Sequence, residues 1–211
     1  MTHEPLSQHL ERLVTVDGVR SLNELVAKTS GRGIFLVTIL LCLPFITPIP
    51  LPGLSNIIGL ALVTVGVRMA LGLPMRLPRF IGAREWPQTR MKQVLLASTK
   101  LLGWIERGIK PRRATWITQP WAAKLNGLIF AFLALLLALP IPPVLPFSNA
   151  LPAYAIILLS ASMMEEDSAT LWIAYAVGTA TVIYFTLFFG VIVKFIIHFE
   201  ERIEAFLRGL L

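Results

Sequence analysis

The residues best suited to chemistry are two serine–asparagine pairs, Ser55-Asn56 and Ser148-Asn149, each directly after a proline-rich break in an apolar run. The first break holds Pro44, Pro48, Pro50 and Pro52, and the second holds Pro140, Pro142, Pro143 and Pro146. The pairs stand 93 residues apart and the leading prolines 96 apart, so the second break is shorter by three residues. Two readings fit. As helix N-caps, Ser and Asn side chains would satisfy N–H groups left exposed where each loop becomes a helix. As a binding site, two helix N-termini meeting near mid-membrane beside unbonded carbonyls would suit an anionic or polar solute. On the second reading the site comprises Pro52, Ser55, Asn56, Pro146, Ser148 and Asn149.

Three further groups carry charge near these runs. Arg68 lies toward the end of the helix that follows the first break. It either snorkels to the headgroups or contacts a solute or phosphate. Glu165, Glu166 and Asp167 form an acidic turn, which reads as a solvated connection or as a proton or cation site. His3, His9 and His198 lack ligand spacing with one another or with Cys42, so no metal site and no cofactor are expected. No Gly-rich phosphate loop and no Ser-His-Asp or Cys-His set can be assembled, and the carboxylates cluster outside the apolar runs. A non-enzymatic protein is the expectation.

The elements that must position these residues belong to a membrane. Hydrophobic residues make up 55% of the 211-residue chain, and the mean hydropathy is +0.72. Between Arg32 and Arg68 no residue is charged. One straight helix of that length would measure roughly 50 Å against a hydrocarbon core of about 30 Å. The prolines forbid it in any case, since each lacks an N–H and clashes with the preceding turn. The run should therefore fold as helices near 34–46 and 54–73 around an irregular, re-entrant loop, whose carbonyls need protein or a wet cavity to satisfy them. A second charge-free run, Leu125 to Met164, should fold likewise as about 125–139 and 147–164. The single cysteine, Cys42, reads as a packing residue inside the first run.

The fold class expected is an all-α integral membrane protein, a single domain over 1–211 with two internal repeats. Repeat one, about 5–73, is an amphipathic stretch followed by the first broken hairpin. Within it, Ser21 and Glu24 have capping-box spacing ahead of Leu22, Leu25 and Val26. Residues 74–124 are basic, with eleven Lys or Arg against two acids, and carry an amphipathic stripe from Val94 to Ile109. Trp104 and Trp116 suit the headgroup level. Repeat two is the hairpin of about 125–164. A third run, Ser168 to Val193, is long enough to cross with tilt and continues as an amphipathic helix toward residue 211. The N-terminus lacks a basic region leading into an apolar core, so the first apolar run is expected to act as an uncleaved anchor.

The positive-inside rule explains the basic segment better than nucleic acid does, and it places the N-terminus and 74–124 in the cytoplasm against anionic headgroups. Each hairpin then returns to its own side. The side of the C-terminus stays open, because Lys194, Arg202 and Arg208 favour the cytoplasm while the number of crossings favours the outside.

An ordered set of short motifs resembles the bacterial exopolysaccharide-synthesis ExoD family. It comprises Ser21-Leu22 with Glu24-Leu25, then Gly31-Arg32-Gly33, Leu43-Pro44, and Pro50 with Pro52-Gly53-Leu54-Ser55. Leu77-Pro78, Ile105-Glu106, Lys110-Pro111-Arg112, Leu145-Pro146, Ser148-Asn149 and Pro152-Ala153 follow in order. Two places depart: Arg76 stands where an aromatic residue is expected before Leu77-Pro78, and Glu165-Glu166-Asp167-Ser168 replaces a charged residue followed by Asp-Gly. The second departure puts the tightness of that turn in question. The resemblance implies a bacterial inner-membrane protein of exopolysaccharide production, with no defined reaction. Three roles follow as expectations: a transporter-like protein, dimeric because two small copies enclose a polar cavity better than one; a non-catalytic subunit or regulator contacting exopolysaccharide assembly proteins through the basic segment; and an intramembrane enzyme on a lipid-linked sugar.

Overall fold

A computed structural model describes residues 21–29, 32–46, 53–83, 116–117, 119–139 and 147–208, with side chains of the last helix to Gly190 and isolated positions between 85 and 96. The stretches 5–20 and 94–109, Trp104, and the proline loops at 47–52 and 140–146 lie outside them, and with the loops Pro52 and Pro146. Seven α-helices and no strand occur among the described residues. They are α1 (Leu22–Lys28), α2 (Gly33–Cys42, prolonged by a 3-10 turn, Leu43–Phe45), α3 (Leu54–Ala70), α4 (Arg79–Gly82), α5 (Pro120–Ala138), α6 (Ala150–Glu165) and α7 (Ser168–Arg208).

Local chemistry accounts for the boundaries. Ser21 caps α1, its Oγ accepting from the Glu24 N–H at 3.2 Å, as the capping-box spacing expects. α3 ends at a left-handed Gly72 (φ +69°), with Leu73 N donating to Arg68 O at 2.8 Å and Gly72 N to Met69 O at 3.0 Å. That is a Schellman closure, which a glycine adopts without the Cβ penalty. α5 begins at Pro120 rather than near residue 125, because proline suits the first helical position, where its missing N–H is not needed. Lys124 is exposed and does not interrupt it. The first arm of the second hairpin is thus 19 residues and long enough to cross a membrane, unlike the 13-residue arm of the first.

α2 is apolar all round and buried from Gly33 through Ile39, which makes it the central helix. It packs against α6, and α6 against α7. α3 and α5 form the other main contact. That contact is antiparallel and close enough to bring backbones together. A Cβ on Gly59 would stand 2.6 Å from the nitrogen of Ala138, one on Gly66 2.5 Å from that of Ala131, and one on Gly127 2.4 Å from that of Ala70. Seven residues forward on α3 match seven back on α5, so small residues recur at one register along the seam.

Away from the seam both helices expose large apolar side chains in stripes: Leu54, Ile57, Leu60, Val67 and Leu71 on α3 and its cap, Leu125, Leu128, Phe132 and Leu135 on α5. A water-facing surface rarely carries such continuous apolar area. α5 and the Ser168–Gly190 part of α7 are long and apolar enough to span a bilayer, while α2 with its 3-10 turn, α3 and α6 are shorter apolar helices. Cys42 is fully buried in this core.

The ends of the bundle differ in chemistry. One end gathers the starts of α2, α5 and α7 with the finishes of α3 and α6. Trp116 stacks on Trp121 there at 6.2 Å and meets Trp172 at 6.3 Å. The described flanks of both proline loops lie at the opposite end.

Candidate functional site

At the loop end, Asn56 reaches from the first turn of α3 to the last residue of α5. Its Nδ2 donates to the carbonyl of Ala138 at 2.9 Å. Asn56 follows the first proline loop and Ala138 precedes the second, so this bond joins the flanks of the two loops. Ser55 and Ser148 are both buried, and Asn56 and Asn149 are partly so.

The capping reading holds in position for Asn149 alone, and neither N-cap residue makes a side-chain cap bond. The N-cap of α3 is Gly53, in the left-handed region at φ +80°, and no side chain bonds there. Ser55 and Asn56 already lie inside the helix. Asn149 is the N-cap of α6, but its φ of −92° and ψ of −32° are helical, and its side chain makes no cap bond either. The residue before the pair, Phe147, takes the left-handed turn instead (φ +62°). Two helix N-termini therefore stand at the loop end without a side-chain cap from their N-cap residues.

Arg68 lies twelve residues along α3 from Asn56, or about 18 Å at the helical rise. It belongs to the tryptophan end and does not share a site with the Ser-Asn pairs. Its Nε donates to the carbonyl of Pro74 at 2.7 Å. The same end holds the acidic turn, which is more than a solvated connection. Asp167 is buried at 3% exposure and caps α7: its Oδ2 accepts from the Thr170 N–H at 2.8 Å and from Thr170 Oγ1 at 2.5 Å. Glu166 holds the left-handed position (φ +55°), and Asp167 N bonds Ser162 O at 3.0 Å, so the turn is tight without the expected glycine.

Glu165 has a partner in Arg32, at 3.4 Å. Arg32 also donates to Met164 O through Nε at 3.0 Å and Nη2 at 2.5 Å. A cation thereby closes the carbonyl end of α6 from the start of α2, where the helix dipole favours it. In the sequence Arg32 marks the edge of an apolar run and stands in the Gly31-Arg32-Gly33 motif, neither of which points to this partner.

The interior holds polar atoms the sequence did not single out. Asn126, fully buried on α5, accepts from the Tyr175 hydroxyl at 2.6 Å through Oδ1, while its Nδ2 has no partner among the described residues. Thr38 Oγ1 on α2 and Ser160 Oγ on α6 are likewise buried without one. Each unpaired polar group costs about 1–3 kcal/mol in an apolar surround. Only the Asn-to-Tyr spacing across two apolar runs could have hinted at the pair. Among the described residues no group of three or more His, Cys, Asp or Glu side chains could hold a metal ion.

Comparison with known proteins adds a context for this geometry. A family model described as exopolysaccharide synthesis, ExoD, matches residues 6–187. The chain is 29% identical over 167 residues to Protein ExoD of Rhizobium meliloti (strain 1021), covering 79% of this chain and 69% of that protein. No solved structure matches significantly.

Proposed function

Because the chain belongs to the ExoD family, whose members are described by exopolysaccharide synthesis, we propose that it is a multi-pass inner-membrane protein of that process with a transporter-like rather than enzymatic role. Both hairpins enter from the tryptophan end, which faces the cytoplasm, and turn back at their proline loops. Where the flanks of the loops converge, the N-termini of α3 and α6 and the end of α5 line a path for a polar solute or ion. Ser55, Asn56, Ser148 and Asn149 are the side chains it meets.

The observation that carries this reading is the bond from Asn56 Nδ2 to Ala138 O. A 2.9 Å contact between the flanks of two loops more than 80 residues apart supports a single shared loop site. The first turns of α3 and α6, which receive no side-chain cap from Gly53 or Asn149, add to it, since backbone N–H groups and the helix dipole both favour negative charge there. The unpaired Thr38, Ser160 and Asn126 atoms supply further polar surface inside the bundle.

Reconstitution into proteoliposomes tests the proposal. Flux of small anions or sugars should appear with the intact chain and fall at least about tenfold with Asn56→Ala or Asn149→Ala, the loss of one charge-assisted contact each. Undiminished flux in both variants contradicts the site.

A second reading is favoured by the α3–α5 seam. Backbones in contact at Gly59, Gly66 and Gly127 make a stiff pair suited to a scaffold. On that reading the protein is a non-catalytic subunit that contacts exopolysaccharide assembly proteins through residues 74–124. Absence of flux together with intact association distinguishes it. A homodimer would cover part of the exposed α3 and α5 stripes, and native mass spectrometry from mild detergent reads the copy number.

A further inference from the structure

At the tryptophan end, three arginines line one cavity. Arg68, Arg76 and Arg79, with Asn23, Thr64 and Leu77, line a space of about 420 Å³, a volume in the range of small-molecule pockets. Among the described residues no carboxylate lines it. Among the described residues the ion pairs lie elsewhere, Lys28 with Glu24 and Arg32 with Glu165.

The walls are held in place from several directions. Asn23 grips Leu77 by both backbone groups, accepting from its N–H at 2.9 Å and donating to its carbonyl at 3.1 Å. That fixes the chain between Arg76 and Arg79 against α1. Gly82 packs so closely on Asn23 that a Cβ there would stand 2.4 Å from its Nδ2. On the other wall the Schellman closure at Gly72 and the bond from Arg68 Nε to Pro74 O fold the 71–78 segment back over α3.

Three planar, permanently charged donors around one space match a phosphate, whose oxygens accept bidentate bonds from guanidinium forks. The carbonyl end of α3 opposes an anion with roughly half a charge, and its carbonyls are partly closed by the Gly72 turn, so three full positive charges outweigh it.

A second observation says what carries the phosphate. Thr64 and Arg68 continue the exposed face of α3, on which Ile57 is 53% and Leu60 56% exposed. Beyond the cavity Leu71, Leu73 and Phe80 are exposed as well. An apolar track thus runs directly into an arginine-lined space at the end where the tryptophans cluster. We propose that this corner holds the phosphate headgroup of a membrane lipid, with an acyl or prenyl chain lying along Leu60 and Ile57. The site is separate from the loop end and stands whether or not solute crosses there.

The test uses the full chain in mild detergent, with lipid retention read by native mass spectrometry. Phosphatidic acid and phosphatidylcholine of the same chain length are the lipid probes, and inorganic pyrophosphate is the free-phosphate probe. Phosphatidic acid should be held at least about tenfold more tightly than phosphatidylcholine, and Arg76→Gln with Arg79→Gln, both exposed positions, should remove most of that preference. The charge-matched pair Lys28→Gln with Lys124→Gln should leave it within about twofold. Equal retention of the two lipids overturns the site. So does an equal loss in the lysine pair, which assigns the effect to bulk charge. Pyrophosphate binding as tightly as phosphatidic acid, and lost with the arginines, overturns the lipid assignment in favour of a free phosphate. A melting temperature in phosphatidylcholine unchanged by the arginine pair shows that the fold is intact; should that pair fail to fold, Arg79→Gln alone must still lower the preference, and no change there overturns the site.

Discussion

Gly66 of α3 and Ala131 of α5 meet backbone to backbone: a Cβ on the glycine would lie 2.5 Å from the alanine nitrogen and 2.7 Å from its Cα. The same approach recurs seven residues away at Gly59 and Ala138, beside the Asn56 bond. The seam that packs α3 on α5 therefore also sets where the described flanks of the two loops meet, at Asn56 and Ala138.

Gly66→Ala should destabilise the protein, because neither neighbour is a flexible side-chain tip. Overpacking of this kind costs about 1–3 kcal/mol. Gly190→Ala is the matched control: nothing lies within 4 Å of its Cβ position. There the helix should gain up to about 1 kcal/mol from the better helix former. Unfolding in mixed micelles measures both, and equal effects would mean the seam is not close-packed.

Removing the Tyr175 hydroxyl should leave Asn126 Oδ1 buried and unpaired. Tyr175→Phe is expected to cost about 1–3 kcal/mol. Asn126→Leu with Tyr175→Phe should cost less than the separate losses together, and a double-mutant cycle should return a coupling of about 0.6–1.7 kcal/mol. A coupling near zero contradicts the bond.

The two ends of the acidic turn separate by role. Asp167→Ala removes a buried cap and should cost about 0.5–2 kcal/mol. Arg32→Gln loses the donors to Met164 O and should cost more than Glu165→Gln, which leaves those donors in place. Partly exposed ion pairs contribute at most about 1 kcal/mol. The reverse order would show that the charge pair, rather than the carbonyl closure, holds α2 to α6.

Much of this fold was legible because prolines and charges act locally. The prolines excluded one long helix, and the bounds of α2, α3, α6 and α7 fall within a few residues of where the apolar runs begin and end. Local rules also misled at particular points. Ser55-Asn56 and Ser148-Asn149 are the same dipeptide after similar breaks, yet Gly53 caps one helix and leaves Asn56 inside it, while Asn149 stands at the cap of the other. Lys124 read as the last residue of a basic segment, but a long side chain leaves an apolar helix without ending it. Arg32 and Asn126 could not have been assigned from their neighbours, because their partners lie 132 and 49 residues away.

Convergence of the two proline loops is the central claim, and cysteine crosslinking measures it most directly. In a Cys42→Ala background, Ser55→Cys with Ser148→Cys should form an intramolecular link with a short-spacer bis-maleimide in native membranes. Single variants that each react with a maleimide, combined with no link in the double variant, would contradict the shared loop site.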